Sequence, residues 1–241
     1  MLLSVVHCVN NAVDCFPHSR CHACVCHCSR RLSICLENTQ TLVSLSLRSN
    51  LLDDDLVEIL MEGLSQNKTL SILDLSHNKI SDTGAQMLGE YLSQPCTVVH
   101  LNLADNQIYG EGGLHLGRAL HYNDTLVSLN LRLNRLGDMG GRVLLDGLVE
   151  NDTLRSINLS SNSLAEETTK MLSALFKSST CMLQYLDLSA NDLTEIEGNE
   201  VSSSAAHAAC CVRKAECALL LWNHGVHCEA SRCAGQQHYF G

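Results

Sequence analysis

Near the start of the chain, C-H-A-C-V-C-H-C from Cys21 to Cys28 gathers thiols and imidazoles, the side chains that bind zinc. A zinc fold of this kind needs two ligand pairs separated by a loop of about 12 to 20 residues. Here the thiols crowd together and no second pair follows at a fixed distance, so the run reads as a terminus rather than a metal centre. Cys210, Cys211, Cys217, Cys228 and Cys233 in the tail read the same way. Nucleophilic catalysis would need a base and an orienting third group in one pocket. Between residues 32 and 200 the imidazoles are His77, His100, His115 and His121, and the serines near His77 and His100 are ordinary strand positions. Gly110 to Gly113 (G-E-G-G) lacks the Lys and Ser/Thr that complete a phosphate loop. No enzymatic activity, metal, cofactor or small-molecule substrate is expected.

The chemistry that does recur is that of an amide. Asn50, Asn78, Asn106, Asn134, Asn162 and Asn191 are spaced 28 residues apart, the last interval being 29. An amide carries donor and acceptor together and can satisfy backbone groups left over where a strand turns into a loop. These six asparagines are therefore expected to be structural. Each closes a copy of the frame T-L-V-S-L-N-L-R-L-N at Thr125 to Asn134, which recurs at Leu42, Leu70, Val98, Leu154 and Leu183. Alternating leucines such as Leu73 and Leu75 predict a short strand with one buried face. An aliphatic follows two residues after each asparagine, then a polar turn such as S-D-T-G at Ser81 to Gly84 that suits a helix start. Leu60/Leu64, Leu88/Leu92, Leu116/Leu120, Leu144/Leu148 and Leu172/Phe176 then give a helical stripe. Units that share one narrow core are stable only when stacked. The predicted fold is an α/β leucine-rich-repeat solenoid, a curved horseshoe with a six-stranded parallel sheet on its concave side and helices on its convex side.

Residues 32–200 hold this half repeat plus six units. Leu32, Leu36 and Thr41 stand where Leu60, Leu64 and Thr69 stand one unit later, but the strand expected near residue 14 is replaced by unrelated sequence. Residues 1–31 are expected to be a divergent or disordered Cys/His-rich segment, and 201–241 a Cys-containing tail whose run from Ala205 to Trp222 has helical composition and could cap the solenoid. Of 26 acidic residues 23 fall in the repeats, against 10 of 16 basic ones, giving the body a charge of −13. Such a body disfavours nucleic acid as partner. No apolar run reaches the ~20 residues that span a bilayer, so no membrane partner is expected. MLLSVV is brief and has no preceding Lys or Arg, so no secretory signal is expected. Cys35, Cys96 and Cys181, isolated in the repeats, fit a reducing cytoplasm.

The 28-residue unit resembles the ribonuclease-inhibitor class of leucine-rich repeats. Within that class, R-S-N-L-L-D-D-D at Arg48 to Asp55, LDLSHNKISDTGA, LNLADNQ, TLVSLNLRLN followed by G-D-M-G-G, and L-R-S-I-N-L-S-S-N resemble the repeats of the dynein regulatory complex subunit five family, over about residues 32 to 200. The resemblance implies a scaffold subunit of the nexin link between axonemal doublets of motile cilia or flagella, with other protein subunits as partners and a cytoskeletal location. That family has a long segment before its repeats, where this chain has the short Cys/His-rich piece. The alternative is a cytosolic binding module, an inhibitor or sensor of the ribonuclease-inhibitor type. A GTPase-activating solenoid would resemble a chain ending in a long acidic tail, whereas residues 201–241 hold only Glu216 and Glu229 as acids.

A partner is expected on the concave strand positions. Most of these are small and polar, but Arg132, Leu133 and Arg135 set an aliphatic between two guanidinium groups, and Tyr185 and Ile72 are expected as apolar flanks. Six strands about 4.8 Å apart and ~16 Å long offer only about 400 Å². A stable interface uses about 800 Å² per partner. The loops after each asparagine or the solenoid ends must contribute the rest.

Overall fold

The computed structural model describes residues 4–7, 22–193 and 209–211. Six parallel strands follow one another in sequence order: β2 (Leu42–Ser46), β3 (Ile72–Asp74), β4 (His100–Asn102), β5 (Ser128–Asn130), β6 (Ser156–Asn158) and β7 (Tyr185–Asp187). Helices alternate with them: α1 (His22–Asn38) before β2, then α2 (Asp54–Gln66), α3 (Asp82–Leu92), α4 (Gly110–Tyr122), α5 (Gly137–Leu148) and α6 (Glu166–Lys177). Neighbouring strands keep one register, so Leu45, Leu73, Leu101, Leu129, Ile157 and Leu186 form a row across the sheet. All six are buried, as are the leucines of the helical stripe from Leu60 to Leu172, and together they make one continuous core. This is the leucine-rich-repeat solenoid the spacing predicts.

The sheet is wider than six strands. β1 (Ser4–His7) lies parallel beside β2, and β8 (Ala209–Cys211) lies antiparallel beside β7. A strand therefore does precede β2, at Ser4–His7 rather than near residue 14, and α1 starts at His22, ten residues before the boundary expected at 32. Within Ala205–Trp222 the described residues are a strand, not a helix. An open sheet edge presents unpaired N–H and C=O groups that recruit backbone whatever its side chains, and this overrides a helical composition. The remainder of that run, Cys21 and most of the two cysteine-rich ends lie outside the described residues.

From Asn78 onward each closing asparagine reaches back one repeat. Asn134 Nδ2 donates to Leu103 O of the preceding repeat at 2.9 Å and to Leu131 O of its own at 3.0 Å, while its Oδ1 accepts Ile108 N at 3.2 Å. Asn78, Asn106, Asn162 and Asn191 repeat the pattern, donating to Leu47, Leu75, Leu131 and Leu159. These amides are buried, and removing one leaves partners unpaired at about 1–3 kcal/mol.

Two further columns do the same work elsewhere. Asn67, Asn123 and Asn151 follow the helices, donate to Leu36 O, Leu92 O and Leu120 O one repeat earlier, and accept the N–H groups that open the next strand segment. Asp54, Asp82 and Asp138 sit in the first turn of one helix and accept N–H groups at the start of the next. Position 110 breaks that last column. Gly110 stands where a carboxylate would, and its backbone lies against Gly140. Down this seam α4 and α5 meet through glycines: a methyl added at Gly147 would lie 2.0 Å from Gly117 O.

Candidate functional site

The inner face of the sheet is built by a fourth set of hydrogen bonds, each spanning two residues. Asp74, Asn102, Asn130, Asn158 and Asp187 occupy one register row, and the side-chain oxygen of each accepts the backbone N–H two residues on. Read as plain solvated positions in the sequence, they are turn-formers that end each strand. Because of these turns β3 to β7 are three residues long, shorter than expected, and the flat inner sheet is smaller still. Several positions expected to face solvent do not. Ser76, Asn102, Ala104, Ser128 and Ser160 are buried, because short side chains on strands about 4.8 Å apart are covered by longer neighbours.

Past these turns the chain takes a left-handed conformation immediately before each asparagine, at Ser49, His77, Asp105, Leu133, Ser161 and Ala190, with φ from 53° to 59°. The backbone N–H there still bonds the next repeat, as in Leu133 N to Ser160 O at 3.0 Å. Left-handed backbone costs an ordinary L-residue roughly 1–2 kcal/mol. A leucine there gains nothing from burial, since Leu133 is 42% exposed. Leu51, just after its asparagine, is also left-handed and 50% exposed.

The predicted docking residues separate into two groups. Arg132, Leu133 and Arg135 are together and exposed at the end of β5. Arg135 Nη1 donates to Tyr109 Oη at 2.7 Å, and its guanidinium carbon lies 5.7 Å from the Tyr109 ring centroid. Tyr109, 43% exposed, is thus a member of the patch that sequence reasoning missed. The available signal was its spacing, 26 residues before Arg135 and so about one repeat. Ile72 and Tyr185 belong to another row: they are in register with Ser128, at the start of β5, on strands two places to either side. Arg132 lies four residues beyond Ser128, about 13 Å along the strand direction. The structure does not bring Ile72 and Tyr185 to the arginines as flanks.

His77 Nδ1 lies 2.5 Å from Asp105 Oδ2, an exposed pair across adjacent repeats. Burial lowers the pKa of His100. Among the described residues no three His, Cys, Asp or Glu side chains converge as a metal-binding group. A groove of about 530 Å³ between α3 and α4, lined by Glu90, His115 and Arg118 among others, is open on the helical face. No helix among the described residues is long and apolar enough to cross a membrane.

The fold and this edge of exposed loops define a leucine-rich-repeat solenoid, and a family model described as leucine-rich repeat matches residues 66–89, 94–117 and 122–145. Among solved structures, the chain is similar to leiomodin-1 actin-binding site 2, with 21% identity over 60% of this chain and 87% of that one and a TM-score of 0.50. The tropomodulin C-terminal domain of Caenorhabditis elegans aligns at 19% identity over 64% of this chain and 93% of that one, with a TM-score of 0.49. An internalin from Listeria monocytogenes aligns at 21% identity over 67% and 46%, with a TM-score of 0.41. No curated protein matches the chain. The leiomodin likeness shows a common fold alone.

Proposed function

We propose that this chain is a non-catalytic protein–protein interaction scaffold, a subunit of the axonemal nexin–dynein regulatory complex in the cytoskeleton of motile cilia or flagella. One observation carries the reading. Two of the segments that carry the resemblance to that family, Arg48 to Asp55 and Gly137 to Gly141, lie on the loop into α2 with its first turn and on the first turn of α5, and Arg48, Ser49, Leu51, Asp55 and Met139 within them are exposed. Buried leucines are dictated by the solenoid and would recur in any such protein, whereas exposed loop residues answer to binding. The partner of this scaffold is another protein subunit, docked through Arg132, Leu133 and Arg135.

A tagged chain expressed in ciliated cells tests the reading. A scaffold subunit stays with the axoneme after detergent extraction; a free inhibitor or sensor of the ribonuclease-inhibitor type washes out, and that result overturns the axonemal assignment. Arg132→Glu with Arg135→Glu should lower incorporation while leaving the fold intact. Wild-type incorporation of the folded double variant would remove this face as the docking site.

A further inference from the structure

Four stretches of the chain fit Asn-x-Ser/Thr, the pattern that accepts an N-linked glycan: Asn67-Lys68-Thr69, Asn123-Asp124-Thr125, Asn151-Asp152-Thr153 and Asn158-Leu159-Ser160. In a secreted protein such a pattern marks a surface loop. Three of these loops do reach the surface, since their middle residues Lys68, Asp124 and Asp152 are exposed. Their asparagines are not. Asn67, Asn123 and Asn151 are only 3%, 5% and 5% exposed, and they form the column that follows the helices.

The atom that would carry a glycan is the one the fold has engaged. Nδ2 of Asn67 donates to Leu36 O at 2.7 Å and that of Asn123 to Leu92 O at 2.7 Å. Nδ2 of Asn151 donates to Leu120 O at 2.6 Å and to Asn123 O at 2.9 Å. Each Oδ1 accepts two backbone N–H groups of its own turn, so the amide is fixed at both ends. N-glycosylation joins Nδ2 to C1 of the first sugar of a lipid-linked oligosaccharide diphosphate. The C1–O bond to the diphosphate breaks, the lipid diphosphate leaves, and one amide proton is lost. The sugar ring then occupies space that the preceding repeat fills, because a glycan is bulky and belongs on a surface. Asn158 is half-exposed on β6 and lies outside the proposal.

We infer that Asn67, Asn123 and Asn151 accept N-linked glycans on the unfolded chain, and that each glycan and the folded solenoid exclude one another. Transfer acts on a chain still being threaded into the secretory lumen, before its repeats stack. A chain routed there is modified at amides that the fold buries, and neighbouring repeats then cannot close on each other. The chain therefore reaches its fold only in a compartment without the transferase. The inference rests on the fold alone and needs no axonemal partner.

The test expresses the full chain in cultured cells, once unfused and once behind a cleavable secretory signal peptide. The secretory form should carry endoglycosidase-sensitive glycan on Asn67, Asn123 and Asn151, located by mass spectrometry. Limited proteolysis should degrade it about tenfold faster or more than the unfused form. An inhibitor of lipid-linked donor synthesis should restore resistance to the secretory form. So should the triple variant Thr69→Val, Thr125→Val, Thr153→Val, which removes the acceptor pattern and keeps each amide. Where the valines by themselves unfold the unfused chain, the inhibitor arm decides. A protease-resistant secretory chain bearing glycan on these three asparagines would overturn the proposal. So would a secretory chain left unmodified at them. A chain that stays unfolded without glycan would overturn it too, and would lay the failure on oxidation of its 14 cysteines. Release of the unfused chain from axonemes refutes the axonemal reading alone.

Discussion

Asp138 accepts the backbone N–H of Thr168 at 2.8 Å, and Thr168 Oγ1 donates back to Asp138 O at 3.0 Å, a reciprocal pair that joins the starts of two helices one repeat apart. Asp138 also takes Ala165 N and Glu167 N, and so caps α6, which has no side-chain cap of its own. Burial pushes the Asp138 carboxyl up, but the hydrogen bonds from Thr168, Glu167 and Ala165 outweigh it and hold the pKa below the usual carboxylate range.

A group whose pKa is depressed by folding stabilises the fold above its unfolded value, about 3.9, and loses that contribution as pH falls through the folded value. Asp138→Ala should cost about 1–2 kcal/mol at neutral pH. Chemical denaturation below about pH 4 should show a shallower acid loss for the variant than for wild type.

Asn134 and Asn130 differ by four positions and by role. Asn134 is buried and bonds two repeats, whereas Asn130 is half-exposed and its Oδ1 accepts the N–H of Arg132 in its own turn. Urea melts should show Asn134→Ala losing about 1–3 kcal/mol, and Asn130→Ala no more than about 1 kcal/mol.

Gly147→Ala tests the seam. Alanine is the better helix former by about 1 kcal/mol. Its methyl would meet Gly117 O, so the variant should instead lose about 1–3 kcal/mol. Gly137, with φ +62° and open space around it, is a control for backbone strain alone: Gly137→Ala should cost about 1 kcal/mol and Gly137→Asn less.

Leu131 is fully buried in the shared core, so Leu131→Asp should unfold the solenoid cooperatively. A normal melt with retained helicity in that variant would refute the continuous core.

The purified repeat region, residues 32–200, is expected to carry no stoichiometric zinc and to melt at the same temperature with chelator. One tightly bound equivalent in the full chain, lost in Cys21→Ser and Cys24→Ser, would make the N-terminal run a metal site.

The strands, the helices and the asparagine column were legible because each is written along the chain, in a period of two, a period of 3.6 and a spacing of 28. What escaped lies across repeats. Asp82 looks like an ordinary first-turn acid, yet it serves the helix that begins at Gly110. Tyr109 looks like a loop tyrosine until Arg135 is stacked beside it. Ile72 and Tyr185 share the alternation of Arg132 along the chain, but their row in the register is that of Ser128, which only the pairing across strands reveals. The signal for the carboxylate column was present, Asp54 and Asp82 being one period apart, with Gly110 and Asp138 completing the series. The edge strands β1 and β8 carried no such signal, since pairing at an open edge depends on backbone and not on a repeat.

The glycine seam also sets where the molecule is stiff. Strand spacing fixes the inner arc, so bending is governed by how far apart the helices stand. Helices α4 and α5, in backbone contact, approach more closely than α2 and α3. The arc is therefore straightest and most rigid between the third and fourth repeats, and it yields between the first and second.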